Sequence, residues 1–370
     1  MAIRRLESGR WEASYRDPRG RERTKTFATK RDAERWRAAN VSDVARGAWL
    51  DPRLGTVRVA DWIDRWWPTT VNLRPSTRVR DQGYLERYVL PDFGDDQLGR
   101  LTQPDVQAWV AALSARGLAP ATVTKAYQLL GKVLGAAVDA GLIPSSPCQR
   151  VSLPAKSNEE MRFLTPAQVG ELAEVIHPRF RALVLLAAYG GLRVGELAGL
   201  RRPKLDTLHA RVEVAEIAVE VRGVLTYGPP KTKAGQRSIA LPRPVATELA
   251  AHVERWSSTE WVFTAPDGGP LRVPGWRQRF WKPAVEQAGL VPLRPHDLRH
   301  TAVALWIAAG ANVLEVARRA GHSSTSFTLD RYGHLFPEAD LGLAERLELL
   351  YQPPSNAPVA ALRPISATSD

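Results

Sequence analysis

Cysteine is almost absent. Cys148 is the only one in 370 residues. One thiol makes no internal disulfide, which fits a reducing cytoplasm. It also excludes a structural zinc finger, because even the two-cysteine types need more thiols. Long apolar runs are missing too. The longest, around Phe180 to Leu192, is broken by Gly190 and Gly191. It falls short of the roughly 18–20 residues of a spanning helix. The opening stretch, MAIRRLESGRW, has no apolar signal-peptide core. Acidic residues are outnumbered, with 39 Asp and Glu against 51 Lys and Arg, a net charge of +12. The partner expected is therefore anionic, and nucleic acid is the commonest one; no membrane span competes with it.

The composition, 44% hydrophobic and 24% charged, is that of a folded chain. The pattern predicts a fold that is mainly α with small β elements. Residues 1–50 read as a basic unit, with twelve Lys and Arg against six Asp and Glu in the first 37 positions. WEASYRD and RTKTFAT flank Asp17-Pro18 and Gly20, so a hairpin is expected. A helix capped by Thr29 should follow, with Ala33, Trp36, Val41 and Val44 on one face. Arg16, Arg21, Arg23 and Lys25 on this hairpin could contact DNA, or form an ordinary solvated surface. AWLDPRLGT (48–56) reads as a linker.

Residues 56–145 predict a four-helix bundle. Its helices lie near 59–67, 77–89, 102–113 and 121–140, the last stopped by Gly141. Arg74, Arg78, Arg80 and Lys125 could grip phosphates there or remain surface charges. A Pro- and Ser-rich stretch, 144–160, is a second linker. Residues 160–350 form the third and largest unit, with helices around one β-rich patch. In it, 210–221 alternates polar and apolar, 237–242 reads as a strand, and 225–236 is turn-rich. Residues 351–370 read as a disordered tail.

Four stretches of the third unit carry chemistry. In GLRVGEL, Arg193 opens a helix and Glu196 stands one turn on, placed to hold it. A guanidinium fork there suits a pair of phosphate oxygens, although a surface ion pair is the plainer reading. In PPKTKAGQRSIALP, Lys231 and Lys233 sit at a turn before a strand. In RPHDLRHT, His296 and Arg299 share a helix face. The spacing of His296 and His300 could suit zinc, but Asp297 replaces the Glu of the metalloprotease pattern and no third ligand is near. A buried histidine that buttresses the site is the better reading of His300. In GHSSTSFTLDRYGH, His322 follows a helix end and Tyr332 comes ten residues later.

Phosphodiester chemistry accounts for this set. Attack on phosphorus builds negative charge, which two arginines can neutralise. Tyrosine can be the nucleophile. A base must accept its proton and an acid must protonate the leaving 5′ oxygen. No metal and no cofactor is then required.

In order and spacing the four motifs resemble those of the tyrosine recombinases, the phage integrase family. The resemblance implies that Arg193 and Arg299 clamp the scissile phosphate and that Tyr332 attacks it. It implies Lys231 as general acid, with Lys233 close enough to leave that choice open. His296 would be the acid/base, His322 a hydrogen-bond donor to phosphate, and Glu196 and His300 supports. The family also implies a homotetramer on double-stranded DNA attachment sites and a Holliday junction. Phage or mobile-element DNA would be integrated or excised, with a host DNA-bending protein and an excision factor as further partners. The place of action would be the bacterial cytoplasm, at the nucleoid. The amphipathic helix expected over 335–350 could dock on a neighbouring subunit or on its own domain. Rival readings are a strand-nicking topoisomerase, a catalytically silent DNA-binding protein and a metal-dependent nuclease.

Overall fold

The computed structural model describes residues 3–47, 49–51, 53–155, 161–256, 258–336, 347–348 and 350–351. The helix expected over 335–350 and the tail expected over 351–370 fall largely outside them. The chain divides into two compact units, Met1–Glu159 and Glu160–Asp370. No described helix is long and apolar enough to cross a membrane.

The first unit opens with an antiparallel sheet in the order β1 (Ile3–Arg5), β2 (Trp11–Arg16), β3 (Glu22–Phe27). The Asp17 carboxylate builds the β2–β3 turn by accepting the backbone N–H groups of Arg19 and Arg21 at 2.9 and 3.0 Å. Helix α1 (Lys30–Ala45) starts at Thr29, whose hydroxyl accepts from Asp32 N. Ala33 is fully buried and Trp36 meets Tyr15 edge-on at 5.2 Å. Val41, expected on the inner face, is 42% exposed. The helix meets the sheet through Ala33, Trp36 and Arg37, which donates to Ser14 O; the later turn runs past it. The stretch expected as a linker is tied back instead. Trp49 Nε1 donates to the Tyr15 hydroxyl at 2.7 Å, and Asp51 takes Arg23 at 2.9 Å.

Four helical rods follow: α2 (Val59–Trp66), α3 (Pro75–Tyr84) running on into α4 (Leu90–Phe93), α5 (Gln103–Ala115) and α6 (Pro120–Asp139). A π turn over Leu85–Val89 joins α3 to α4. Pro91 explains it, since proline has no N–H to continue the α pattern. Thr102 and Asp105 form a capping box at α5. The bundle core holds Ile63, Val89, Trp109, Leu130 and Leu134, all at most 5% exposed.

The second unit begins with α7 (Pro166–Val175), capped by the Thr165–Gln168 box, and α8 (Arg181–Gly190). After α9 (Val194–Ala198) come β4 (Leu205–Asp206), β5 (Arg211–Val214), β6 (Ile217–Val221), β7 (Val224–Gly228) and β8 (Arg237–Ala240). The alternating stretch 210–221 is not one strand. β5 pairs with β4 and β8, whereas β6 leaves to pair with β7. The turn between β6 and β7 has positive φ at Arg222 and Gly223, so part of the stretch expected as turn-rich is strand. Helices α10 (Arg243–Trp256), α11 (Val273–Trp276), α12 (Lys282–Gln287), α13 (Asp297–Ala308), α14 (Val313–Ala320) and α15 (Thr325–Tyr332) follow. α13 is buried on most sides and packs on α8.

Candidate active site

The site grows from two helix junctions. At the first, α8 stops at Gly191, with φ +67°. A Cβ there would stand 2.5 Å from the Trp306 ring, so only glycine fits. The chain then turns, and Arg193 becomes the N-cap of α9. Glu196 accepts the Arg193 backbone N–H at 2.9 Å and Nη1 at 2.8 Å. Glu196 is 1% exposed and also takes Arg237 Nη1 and Nη2, at 3.2 and 2.9 Å. Burial alone would raise its pKa. The bonds from Arg237, then from Arg193, outweigh that and hold the carboxyl below its usual range.

The second junction joins α14 to α15 at Gly321, φ +64°. It sets His322 beside the start of α13. Arg299, on α13, is 2% exposed. Its Nη1 donates to Gly191 O at 2.5 Å and its Nη2 to Ala320 O, so it ties both junctions together. Tyr332 is 1% exposed, and its hydroxyl lies 2.6 Å from His300 Nδ1. The His322 ring lies parallel to the Tyr332 ring at 6.2 Å, and its Nδ1 meets Thr328 Oγ1 at 2.9 Å. His296 is exposed and stands edge-on to His300 at 4.9 Å. Arg193, Lys231, Thr232, Gly321, His322 and Phe327 line a cavity of about 330 Å³, and His296 does not line it. Arg193 and Arg237 share the one carboxylate of Glu196, with Arg299 bonded to backbone carbonyls and Lys231 on the cavity wall, so positive charge is in excess here and an anion is favoured.

Residues 162–339 match the phage integrase family, 59–114 its N-terminal SAM-like domain and 2–46 its N-terminal domain. The chain is 31% identical over 363 residues to the prophage phiRv2 integrase of Mycobacterium tuberculosis, covering 94% of this chain and 95% of that one. The chain belongs to the phage integrase family. It is a site-specific tyrosine recombinase, a DNA strand-transferase. Two solved structures share its fold. One is the Tn1549 transposon integrase in complex with transposon right end DNA, with TM-score 0.69 and 19% identity, covering 80% of this chain and 100% of that one. The other is a lambda integrase tetramer bound to a Holliday junction, with TM-score 0.58 and 18% identity, covering 88% and 96%.

In this recombinase the electrostatics follow from burial. His300 and His322 are both pulled down to about 4, by burial first, then by His296 for the former and Arg299 for the latter. His296 is lowered by lost hydration, then by Arg299 and Arg193. Burial raises the Tyr332 phenol against the pull of Arg299 and Arg331. Burial and Arg193 lower Arg299 to about 9. At neutral pH the site thus holds neutral histidines and a protonated phenol. An unfolded histidine titrates near 6.5. Its depression on folding gives stability that is complete above that pH and lost as pH falls toward 4. Thermal scans are expected to show Tm falling between about pH 6.5 and 5. His322→Asn should make that fall shallower, and an unchanged slope would contradict the assignment.

All six candidate catalytic residues lie in the second unit. Lys231, but not Lys233, lines the cavity. His300, expected as a buried buttress, is 3% exposed and its Nδ1 lies 2.6 Å from the Tyr332 hydroxyl. The sequence reading missed Arg237 and Thr328. The signal for Arg237 was its place at the head of the strand after the lysine turn. Among described residues no group of three or more His, Cys, Asp or Glu could hold a metal ion.

In the first unit, Arg16, Arg21, Lys25 and Lys125 are exposed. Two expected DNA contacts are otherwise engaged. Arg23 lies opposite Tyr15 in the sheet register, hence on the face toward α1, and is bound by Asp17 and Asp51. Arg78 stacks over Trp67 at 5.0 Å and donates to Thr70.

Proposed function

We propose that the cavity beside Tyr332 receives the scissile phosphate of duplex DNA and that recombination runs through a 3′-phosphotyrosyl intermediate. The observation that carries this is the convergence of Arg193, Arg299, His322 and the Tyr332 ring at the two junctions, with Lys231 on the cavity wall. Arg193 and Arg299 hold the non-bridging oxygens, and His322 adds a hydrogen bond from Nε2, its Nδ1 being engaged by Thr328. The Tyr332 oxygen bonds to phosphorus as the bond to O5′ breaks. His296 takes the phenolic proton and Lys231 supplies one to O5′. The freed 5′ hydroxyl of the partner duplex then attacks the phosphotyrosine, which restores the phosphodiester and the phenol. The number of phosphodiester bonds is conserved, so no cofactor enters.

His300, lowered to about 4, is a weak base. Its part is to hold the hydroxyl until DNA draws Tyr332 toward the arginines. Glu196 holds Arg193. Arg16, Arg21, Lys25 and Lys125 contact DNA backbone, a contribution that weakens with salt. Arg23 and Arg78 act within the fold. Four protomers join two duplexes through a Holliday junction to integrate or excise phage or mobile-element DNA; the lambda integrase assembly supports this stoichiometry. A host DNA-bending protein and an excision factor complete the assembly, at the nucleoid of the bacterial cytoplasm.

The lysine gives a sharp test. Lys231→Ala should slow cleavage of ordinary DNA by about 10²–10⁴-fold, the contribution of a general acid. A substrate with sulfur in place of O5′ should restore the rate, because a thiolate leaves without a proton. Lys233→Ala should cleave both substrates like the wild type. If Lys233→Ala behaved as predicted for Lys231→Ala, the roles would be reversed. If neither variant slowed cleavage, no lysine of this turn would be the acid.

A further inference from the structure

Arg237, the first residue of β8, does not itself line the cavity, yet it bonds from behind to residues that do, Glu196 and Gly235. Its side chain is 6% exposed. Nη1 and Nη2 reach the two oxygens of Glu196, the carboxylate that also holds Arg193. Nε donates to Arg319 O at 2.7 Å, in the last turn of α14, two residues before Gly321. Nη1 also donates to Gly235 O at 2.9 Å, in the loop that begins at Lys231. One guanidinium therefore bonds the start of α9, the end of α14 and the lysine loop. The fit is close on the other side as well. A Cβ on Gly321 would lie 3.1 Å from Arg237 Nη1 and 2.7 Å from Ala234 O.

Fold stability alone is a weak reason for this arrangement. Removing a guanidinium and a carboxylate from water offsets most of their attraction, and apolar residues of similar volume do as well. What the planar fork supplies is fixed direction. It serves acceptors on three segments at once, which the single nitrogen of lysine cannot do. Strand transfer depends on direction, since a misplacement of about 1 Å can cost about 100-fold in rate.

We infer that Arg237 is a positioning residue of the strand-transfer site. It fixes Arg193, through Glu196, and the His322 turn, through Arg319 O, relative to the Lys231 loop, without touching the phosphate. The inference rests on the roles proposed above for Arg193, His322 and Tyr332.

The experiment compares the full-length wild type with Arg237→Lys, Arg237→Ala and Tyr332→Phe. The probe is a nicked duplex from the native attachment region. DNA affinity, single-turnover formation of the covalent complex and Tm are measured on each. Arg237→Lys should bind DNA within about 3-fold of the wild type and form the covalent complex about 100-fold more slowly. Arg237→Ala should be slower still, so the lysine variant rescues it in part. Should the alanine variant not fold, the lysine variant carries the test. The double variant Arg193→Lys/Arg237→Lys should be slower by less than the product of the two single effects, because Arg237 acts in part by holding Arg193 through Glu196.

Arg237→Lys cleaving at the wild-type rate would overturn the inference. So would parallel losses of affinity, cleavage and Tm, which would make the residue merely structural. In both cases the wild type still forms its Tyr332-dependent complex, and the reading of the site stands. A wild type that binds the probe but forms no such complex would overturn that reading, and this inference with it.

Discussion

Arg299→Met is expected to slow formation of the covalent complex by about 10³-fold, the upper range for loss of one preorganised donor, while Tm stays unchanged or rises. The reason is the cost of the guanidinium. Arg299 is 2% exposed and donates to two backbone carbonyls, with no carboxylate bonded to it among the described residues. Burial and the nearby Arg193 lower its pKa to about 9, so the charged form persists at neutral pH but is less favourable here than in water. A phosphate between the two arginines would relieve that. Methionine fills similar space without the charge. It leaves two carbonyls short of a donor, a cost of about 1–3 kcal/mol each that removal of the buried charge offsets. A Tm drop of more than about 4 °C, or on the order of 1–2 kcal/mol for a domain of this size, would instead mark Arg299 as a structural strut.

Glu196→Ala should do the reverse and lower stability first. Glu196 is the shared counter-charge of Arg193 and Arg237 and caps α9. Its removal leaves Arg237, 6% exposed, without a carboxylate. Breaking a buried pair from one side costs about 3–5 kcal/mol. Glu196→Gln keeps the acceptor and the shape but loses the charge, and its loss should be smaller. Thermal unfolding of the wild type and both variants checks the order. A loss below about 1 kcal/mol for the alanine variant, the range of surface pairs, would contradict it.

Much of this was legible because short-range chemistry fixes it. Thr165 with Gln168, Asn312 with Glu315, and Arg193 with Glu196 are capping geometries set within one turn of chain. The four helices of the bundle show in their apolar spacing. What escaped needed contacts distant in sequence. Arg237 meets Glu196 and Arg319 O at separations of 41 and 82 residues. Arg23 looked like a free cation because neither Asp51 nor the pairing register can be seen from the hairpin alone. β5 and β6 read as one strand because alternation continues while the chain changes sheets. The burial of His300 could be read from its apolar surroundings, but its bond to Tyr332 depends on how α13 packs on α15.

The most direct measurement is covalent trapping. The full chain is mixed with nicked duplex DNA from its native attachment region, so that the cleaved strand diffuses away, and run under denaturing conditions in excess chelator beside Tyr332→Phe. A protein–DNA band that forms with the wild type, survives chelation and is absent from Tyr332→Phe is the predicted result. A wild type that binds this DNA without forming the band, or a band that persists in Tyr332→Phe, would contradict the assignment of Tyr332 as the nucleophile.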